Sequence, residues 1–270
     1  MTHNNPFFKK NNKLKIMDVL KILKIKDKKL KNHKLNDIKE LDQANTNDVT
    51  FFNSTKYLGL LKKTKSKYII TNKKYKKFFN KHQCPIFVDN VLLSVSKVTK
   101  LLYPDSLNDA VDLSLSPPKK KEYKNVKFGT NVLIGKRVNI GTNSLIGHNS
   151  LIESNVVIGK NCIIGSNVII KNSIIGNGVR ILDNSVIGKK GFGFFPQKNK
   201  NIRYPHIGIV IIGDNVEIGC GNTIDRGSLS NTIIGKNTYL DNQVHIAHNN
   251  KIGDNCIVAG QVGFAGSSTL

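Results

Sequence analysis

Large aliphatic residues recur every six positions through the C-terminal half of the chain. Gly usually follows them, and a small or β-branched residue stands two positions before most of them. The apolar face of an α-helix recurs about every 3.6 residues, so this period excludes a helix. The pattern predicts short strands and tight turns, with three hexads forming one triangular coil of about 18 residues. The predicted inward residues are Ile134, Ile140, Ile146, Ile152, Ile158, Ile164, Ile170, Ile175, Ile181, Ile187, Ile212, Ile218, Ile224, Ile234, Leu240, Ile246, Ile252, Val258, Phe264 and Leu270.

An insertion at 188–211 interrupts this repeat. It is too long for a coil corner, so we expect it to project as a loop. Its aromatic residues Phe192, Phe194 and Phe195 either line a channel for an apolar ligand or anchor the loop, and the sequence favours neither alternative.

The first 116 residues carry mixed helix and strand patterns instead. The segments DVTFF and SKYII are typical of strands, and residues 13–29 interleave apolar residues and lysines at helical spacing. We expect that basic amphipathic helix to pack on its own domain. Two prolines and a basic run in SLSPPKKKEYK form an unpatterned connection. The predicted organisation is an α/β domain at 1–116, a linker at 117–127 and a parallel β-helix at 128–270.

The chain of 270 residues has 42 Lys and Arg against 18 Asp and Glu, a formal net charge of +24. Only four of the basic residues are Arg, the residue that base-reading and phosphate-binding sites favour, so we expect no specific nucleic acid partner. Composition alone can explain an excess of Lys and Asn. Because 29 of the 38 Lys precede residue 128, a polyanion or anionic membrane surface stays an alternative partner for the N-terminal domain.

The chain has no long apolar stretch, and its first residues lack the apolar region of a secretory signal. We therefore expect a soluble, cytoplasmic protein. Four cysteines lie far apart without a CxxC pair, which indicates neither a zinc motif nor a disulfide framework. We expect reduced and mostly buried thiols at Cys84, Cys162, Cys220 and Cys256.

The candidate catalytic residues lie near the end of the repeat. His248 stands two positions after Ile246, at a predicted corner, and Gly266 follows it by 18 residues, one full coil. The backbone N–H of Gly266 is therefore expected about one strand spacing, roughly 4.8 Å, from the His248 corner. Asp241, one hexad earlier, could orient the imidazole. Acyl transfer to an amine needs such a base and an oxyanion donor, and needs no metal.

The alternative for this motif is a polar corner that only hydrogen-bonds its neighbours. His245 lies three residues from His248, and along a strand the two side chains point to opposite faces, which disfavours joint metal ligation. We interpret His245 as a surface or interface residue. His148 and His206 are isolated in the sequence, and we expect no functional role for either.

Longer motifs in the sequence indicate a more specific function. They are VTFFNSTKY, GFGF, IGDNVEIGCGNTIDRGSLSNTIIG, LDNQVHIAHNNKIGDN and AGQVGFAGS. These motifs resemble the UDP-3-O-acylglucosamine N-acyltransferases, the LpxD family, over nearly the whole chain. The resemblance implies a left-handed parallel β-helix that forms a homotrimer. It also implies transfer of a 3-hydroxyacyl chain from acyl carrier protein to the 2-amine of UDP-3-O-(3-hydroxyacyl)glucosamine in lipid A biosynthesis, with the carrier's acyl-phosphopantetheine as donor and no further cofactor.

The resemblance also implies roles for individual residues. It places the catalytic base on His248, its partner on Asp241 and the oxyanion N–H on Gly266. In the N-terminal domain it implies that Phe51 and Tyr57 stack on the uracil of the nucleotide sugar.

Two residues between these aromatics are expected near the uracil edge. The family commonly has Asn at the position of Ser54, whereas this chain has Asn53 one place earlier, so the hydrogen bonds there stay open. By strand alternation, one of Phe51 and Phe52 is expected to point into the core.

The family continues through further coils and C-terminal helices, so the resemblance implies a C-terminal truncation at Leu270 and a chain incomplete for function. Two other functions remain: a non-catalytic scaffold or binding trimer, and a sister hexapeptide acyltransferase acting on another nucleotide sugar. The acyl chain length is not predicted.

Overall fold

The structure is a computed structural model that describes residues 5–26 and 33–270. Lys28 and Lys29, at the end of the expected amphipathic helix, lie outside the described residues. The chain divides into two compact units. The N-terminal unit comprises Phe8–Asn108 and Gly193–Pro205, and the coil unit comprises residues 5–7, Asp109–Phe192 and His206–Leu270.

The N-terminal unit is built on a parallel sheet with strand order β1-β2-β3. Parallel neighbours need crossover connections, and short helices supply them here. The strands are β1 (Val49–Phe52), β2 (Tyr68–Thr71) and β3 (Cys84–Phe87). The helices are α1 (Ile16–Ile22), α2 (Leu58–Lys63) and α3 (Val91–Leu102), with 3-10 helices at Thr55–Tyr57, Lys73–Phe78 and Pro104–Leu107.

Apolar spacing explains how these helices pack. In α3, Val91, Val95, Val98 and Leu102 recur on one buried face, and the side chain of Asn90 caps the helix by accepting from the backbone N–H of Leu93. The helix α1 is shorter than the sequence pattern predicts. It buries Ile16, Val19 and Leu20, as expected for a helix that packs on its own domain.

The insertion contains an antiparallel hairpin, Phe194–Gln197 with Lys200–Arg203, rather than an irregular loop. The hairpin belongs to the N-terminal unit, where the ring of Phe195 packs on Tyr204 with 5.6 Å between ring centroids. Phe195 therefore anchors the hairpin, whereas Phe192 lies in the coil unit and is exposed.

Three parallel sheets form the walls of the coil unit, and successive strands of the chain step from one sheet to the next. The first sheet contains Lys127–Phe128, Leu145–Ile146, Ile163–Ile164, Arg180–Ile181, Glu217–Ile218, Tyr239–Leu240 and Ile257–Val258. The second contains Leu133–Ile134, Leu151–Ile152, Ile169–Ile170, Val186–Lys190, Thr223–Arg226, His245–Ile246 and Gly263–Phe264. The third contains Asn139–Ile140, Val157–Ile158, Ser173–Ile175, Val210–Ile212, Thr232–Ile234 and Lys251–Ile252.

The predicted inward residues from Ile134 to Val258 are all buried and form one continuous core. Phe264 is only partly buried, and Leu270 is exposed. The expected fold class, an α/β N-terminal domain followed by a left-handed parallel β-helix, is confirmed. No helix in the described part of the chain has the length and apolar character needed to span a membrane.

The corners of the coil explain much of the asparagine content. Most non-glycine residues with positive φ are Asn, the residue that tolerates the left-handed region best after Gly. Their side chains form ladders between coils: the amide of Asn131 donates to Asn149, and that of Asn143 donates to Asn161. The asparagines at these corners therefore have a structural role and do not merely reflect composition.

Residues 109–116, which the sequence places in the N-terminal domain, belong to the coil unit. The reason is a set of hydrogen bonds: Asp112 accepts from the backbone N–H and hydroxyl of Ser154, and Ser116 pairs with Ile134. All four cysteines are free, but only Cys162 is buried, so the expectation of mostly buried thiols is wrong. Cys256 occupies the same hexad position as Cys162, two residues before an inward residue, and packs against the coil core, but it is only partly buried.

Candidate active site at the His248 corner

His248 lies at the corner that follows the strand His245–Ile246, and its ring lies against Gly266 one coil later. A Cβ built on Gly266 would be 2.7 Å from Cε1 and 2.8 Å from Nε2 of His248. The backbone N–H of Ser267 donates to the His248 carbonyl at 2.9 Å, which fixes the register of the two corners. The structure thus brings together the two residues that the hexad spacing aligned.

Asn249 fixes the orientation and tautomer of the imidazole. Its Oδ1 lies 2.9 Å from Nδ1 of His248 and also accepts from the backbone N–H and hydroxyl of Ser228. Its Nδ2 donates to the carbonyl of Ser230, so the two ends of the amide cannot be exchanged. An amide oxygen can only accept, so Nδ1 of His248 carries the proton. Nε2, which faces Gly266, is left with its lone pair.

Asp241 does not reach this ring within the chain. It follows Tyr239–Leu240 in the first sheet, is exposed, and its Oδ2 lies beside Gly260 of the next coil. The physical reason is the triangular coil, because residues one hexad apart occupy different corners. Within the chain Asn249, and not Asp241, contacts Nδ1 of the ring.

His206, for which the sequence indicated no role, packs against the same ring. It is buried, and its ring meets that of His248 edge to face with 5.2 Å between centroids and 67° between planes. Gly191 fits between them, since a Cβ there would be 2.7 Å from Nε2 of His206 and 2.8 Å from Cβ of His248. Both ends of the insertion therefore reach the candidate site, which the hexad pattern could not show.

A buried arginine supports this arrangement. The side chain of Arg226 is 1% exposed and donates through Nη1 to Asp109 at 2.9 Å and through Nε to the carbonyl of His206 at 3.1 Å. It also reaches the carbonyl of Gly188 at 3.3 Å. Burial acts to raise the pKa of Asp109, but the hydrogen bond and charge of Arg226, with Lys171, hold that pKa below its ordinary value.

Further ion pairs continue this network along the second sheet. Nζ of Lys171 lies 3.1 Å from Glu153 and 3.7 Å from Asp109. Nζ of Lys189 pairs with the fully buried Asp225 at 2.5 Å. Burial raises the pKa of Glu153 despite its contact with Lys171.

The other histidines of the coil unit have ordinary partners. Nδ1 of His245 lies 2.7 Å from the hydroxyl of Thr223, on the outer side of the second sheet. Nδ1 of His148 accepts from the backbone N–H of Thr130 at 2.9 Å. Across residues 5–26 and 33–270, no group of three His, Cys, Asp or Glu side chains is arranged to hold a metal ion.

In the N-terminal unit, the motif Phe51–Tyr57 leaves the carboxyl end of β1. Phe52 is buried among Tyr75, Phe78 and Phe79, whereas Phe51 is half-buried and Tyr57 is 43% exposed. The alternation of the strand thus puts Phe52 in the core and leaves the two expected uracil-stacking rings accessible. The contacts of Phe52 with these three rings are edge to face.

The two polar residues of this motif already have local partners. The Ser54 hydroxyl accepts from the backbone N–H of Lys56 and caps the 3-10 helix Thr55–Tyr57. The carbonyl of Asn53 accepts from the Tyr75 hydroxyl at 2.8 Å.

Comparison with known families agrees with both units. The LpxD family model, described as UDP-3-O-(3-hydroxymyristoyl) glucosamine N-acyltransferase, matches residues 32–101. The bacterial transferase hexapeptide model matches residues 138–172 and 231–266.

Curated relatives share shorter, more similar stretches. The UDP-3-O-acylglucosamine N-acyltransferase of Leptospira biflexa is 53% identical over 83 residues, which cover 31% of this chain and 24% of the relative. The enzyme of the same name from Dechloromonas aromatica is 54% identical over 81 residues, covering 30% and 23%. The matched part thus spans about a quarter of the length of these relatives.

Among solved structures, the UDP-N-acetylglucosamine acyltransferase from Campylobacter jejuni has a TM-score of 0.42 at 23% identity, covering 51% of this chain and 53% of that one. The UDP-N-acetylglucosamine acyltransferase LpxA of Bacteroides fragilis has a TM-score of 0.38 at 32% identity, covering 54% and 53%.

Proposed function

We propose that this chain, which carries an LpxD-family domain and hexapeptide repeats, is an N-acyltransferase of lipid A biosynthesis. It would move a 3-hydroxyacyl chain from acyl carrier protein to the 2-amine of UDP-3-O-(3-hydroxyacyl)glucosamine. The observation that carries the proposal is the His248 corner, where a bare Nε2 faces Gly266 and Nδ1 is held by Asn249. The cytoplasmic location expected from the sequence is part of the same proposal.

In the proposed reaction the amine nitrogen attacks the thioester carbonyl carbon, and Nε2 of His248 accepts the amine proton. The backbone N–H of Gly266 stabilises the oxyanion of the tetrahedral intermediate. The intermediate collapses as the carbon–sulfur bond breaks, and the imidazolium returns the proton to the leaving thiolate. General-base catalysis of this kind typically supplies on the order of 10²- to 10⁴-fold in rate. The phosphopantetheine thiol of the carrier protein is the only prosthetic group that the proposal invokes.

For the acceptor, we assign uracil stacking to Phe51 and Tyr57. Both rings are accessible at the carboxyl end of a parallel strand, the edge at which open α/β sheets bind ligands. Asn53 and Ser54 lie between them and would face the uracil edge. The Ser54 hydroxyl can still donate while it caps the 3-10 helix.

The proposed assembly is a homotrimer. Exposed apolar side chains on the first sheet support self-association, because exposed apolar surface marks interaction sites. They form two pairs, Leu145 with Ile163 and Tyr239 with Ile257, which Arg180 and Glu217 separate along the sheet.

The acidic carrier protein is the second proposed partner. Four exposed lysines of the 3-10 helix Lys73–Phe78 offer a complementary surface. An anionic membrane remains the alternative occupant of these lysines.

The decisive experiment is an assay of the purified chain with 3-hydroxyacyl carrier protein and UDP-3-O-acylglucosamine, with mass spectrometry of the amide product. His248→Ala should lower turnover by roughly 10² or more, and His148→Ala, which removes a corner histidine away from the site, should not. Transfer only to another nucleotide sugar would favour the sister acyltransferase. A folded trimer without turnover on either sugar would favour the scaffold alternative.

A further inference from the structure

We infer that Asp109, Arg226 and His206 form a positioning relay that holds the ring of His248 against Gly266. The inference rests on the proposed function for its kinetic consequence, but the arrangement itself is independent of the substrate. His206 contacts the base and not the reacting atoms, so it acts through His248.

The relay begins with a guanidinium that has almost no contact with solvent. Burying a charge is costly unless it is paired and hydrogen-bonded, and Arg226 meets that condition through Asp109. Its other donors bind the carbonyl oxygens of Gly188 and His206 at 3.3 Å and 3.1 Å. These two residues flank the stretch that contains the hairpin. One planar side chain therefore ties together the point where the chain leaves the coil and the point where it returns.

This tie determines where His206 lies. The N–H of Ile207, in the same peptide unit as the His206 carbonyl, donates to the carbonyl of Ser228 at 2.7 Å, so the peptide that follows His206 is bonded through both of its polar groups. The ring is thereby presented to His248 at 5.2 Å between centroids. Ser228 in turn donates to Asn249, which holds Nδ1 of the base.

Three contacts then confine the ring of His248. Gly266 lies on one side of the ring, His206 and Gly191 lie on another, and Asn249 holds Nδ1 through a hydrogen bond. Asn249 alone leaves the imidazole free to tilt about its hydrogen bond. Contact with His206 removes that freedom and keeps Nε2 beside the Gly266 corner. Displacement of a catalytic group by about 1 Å can lower rates by on the order of 10²-fold.

Arg226→Lys tests the relay because lysine keeps the charge but, as a single point donor, cannot bind Asp109 and both carbonyls in one plane. We expect kcat to fall on the order of tenfold to hundredfold while KM for the UDP-sugar is unchanged. Arg137→Lys is the matched control, since Arg137 is an exposed arginine at a corner in the first turns of the coil unit. It should leave both constants unchanged.

Nitrogen-15 NMR of the histidines in the free 270-residue chain provides a readout that does not need turnover. The wild type should show His248 protonated at Nδ1 only, and Arg226→Lys should give a mixture of tautomers or broadened signals. His206→Phe, which keeps a ring at this place, should retain more of kcat than His206→Ala. If Arg226→Lys does not fold, this pair of variants tests the relay alone.

The outcomes separate the relay from the proposed function. A wild type that is inactive on the UDP-sugar, with a His248 spectrum that changes in Arg226→Lys, would retain the relay and reject the proposed function. An unchanged kcat together with an unchanged His248 spectrum in folded Arg226→Lys would overturn the relay. Equal kcat for His206→Phe and His206→Ala would also overturn it, because ring contact would then have no effect.

Discussion

The imidazole of His248 and the backbone of Gly266 are in such close contact that no side chain fits between them: a Cβ on Gly266 would be 2.8 Å from Nε2. Glycine is required at position 266 because a side chain would not fit there. Its dihedral angles do not require glycine, because the φ of Gly266 is not positive. A nucleophilic amine and an acyl carbonyl would have to approach beside this contact.

Gly266→Ala should therefore push the imidazole off the corner. We expect a loss of turnover of on the order of 10²-fold, the usual effect of losing an oxyanion donor or a base position, with UDP-sugar binding retained. Steady-state kinetics and calorimetry measure the two quantities. Gly263→Ala is the control, since a Cβ there meets nothing within 4 Å. Equal effects of both substitutions would show that the contact with His248 is unimportant.

Asn249→Ala should destabilise the coil as well as the base. Its amide satisfies Ser228, Ser230 and His248, and an unsatisfied buried polar group costs about 1–3 kcal/mol. Asn255→Ala is the control, because Asn255 has a similar positive φ of 58° but lies at an exposed corner. The free energy of unfolding, measured in denaturant, should fall by about 1–3 kcal/mol more for Asn249→Ala than for Asn255→Ala. A difference near zero would count against the orienting role.

The lowered pKa of Asp109 predicts a pH-dependent contribution to stability. A carboxyl whose pKa is lower in the folded than in the unfolded state stabilises the fold above the unfolded pKa, and this contribution is lost as pH falls through the folded pKa. At pH 7, Asp109→Asn should reduce the free energy of unfolding by about 1–2 kcal/mol, less than for a fully buried pair because the side chain is partly exposed. The gap to wild type should narrow as pH falls below about 4. Chemical denaturation from pH 7 to pH 3 measures it, and a constant gap would contradict the ion pair.

The uracil assignment predicts weaker acceptor binding by Phe51→Ala and Tyr57→Ala. Each ring should contribute about 1–3 kcal/mol, the usual scale of stacking between a base and an aromatic side chain. Calorimetric titration with the UDP-sugar gives the affinities, and Leu92→Ala, which removes an exposed apolar side chain from α3, should leave them unchanged. Normal affinity in both aromatic variants would remove these rings from the binding site.

The sequence was sufficient for the coil because its repeat has a direct physical meaning. A spacing of 18 residues places two positions one above the other, and this aligned His248 with Gly266. A spacing of six residues moves a side chain to another corner, which is why Asp241 lies away from the imidazole. The neighbouring Asn249 occupies a corner type used throughout the coil, so no local signal separated it from the structural asparagines.

His206 and Arg226 could not be predicted in the same way. His206 lies near the end of the insertion that interrupts the period, so its position depends on where the chain returns to the coil. Nothing in the sequence distinguishes Arg226 from the other three arginines. Its burial and its two carbonyl partners are evident only from the structure. The N-terminal motif could be predicted only in part. The alternation of side chains along a strand predicted that one of Phe51 and Phe52 is buried, but did not decide which.

The repeat allows the length of the coil to change only in discrete steps. Corner asparagines recur every six residues and bond to counterparts one turn away, as in Asn143 with Asn161, so adding or removing a turn of 18 residues preserves the ladders and the inward column. A change of six residues would still align asparagines and inward residues, but it would carry every later residue one third of a turn around the axis, to another corner of the triangle. The His248 corner therefore keeps its orientation relative to the first turn only when the length changes in steps of one strand spacing, roughly 4.8 Å. A repeat protein of this kind can lengthen or shorten a substrate path in whole turns while leaving its catalytic corner unchanged.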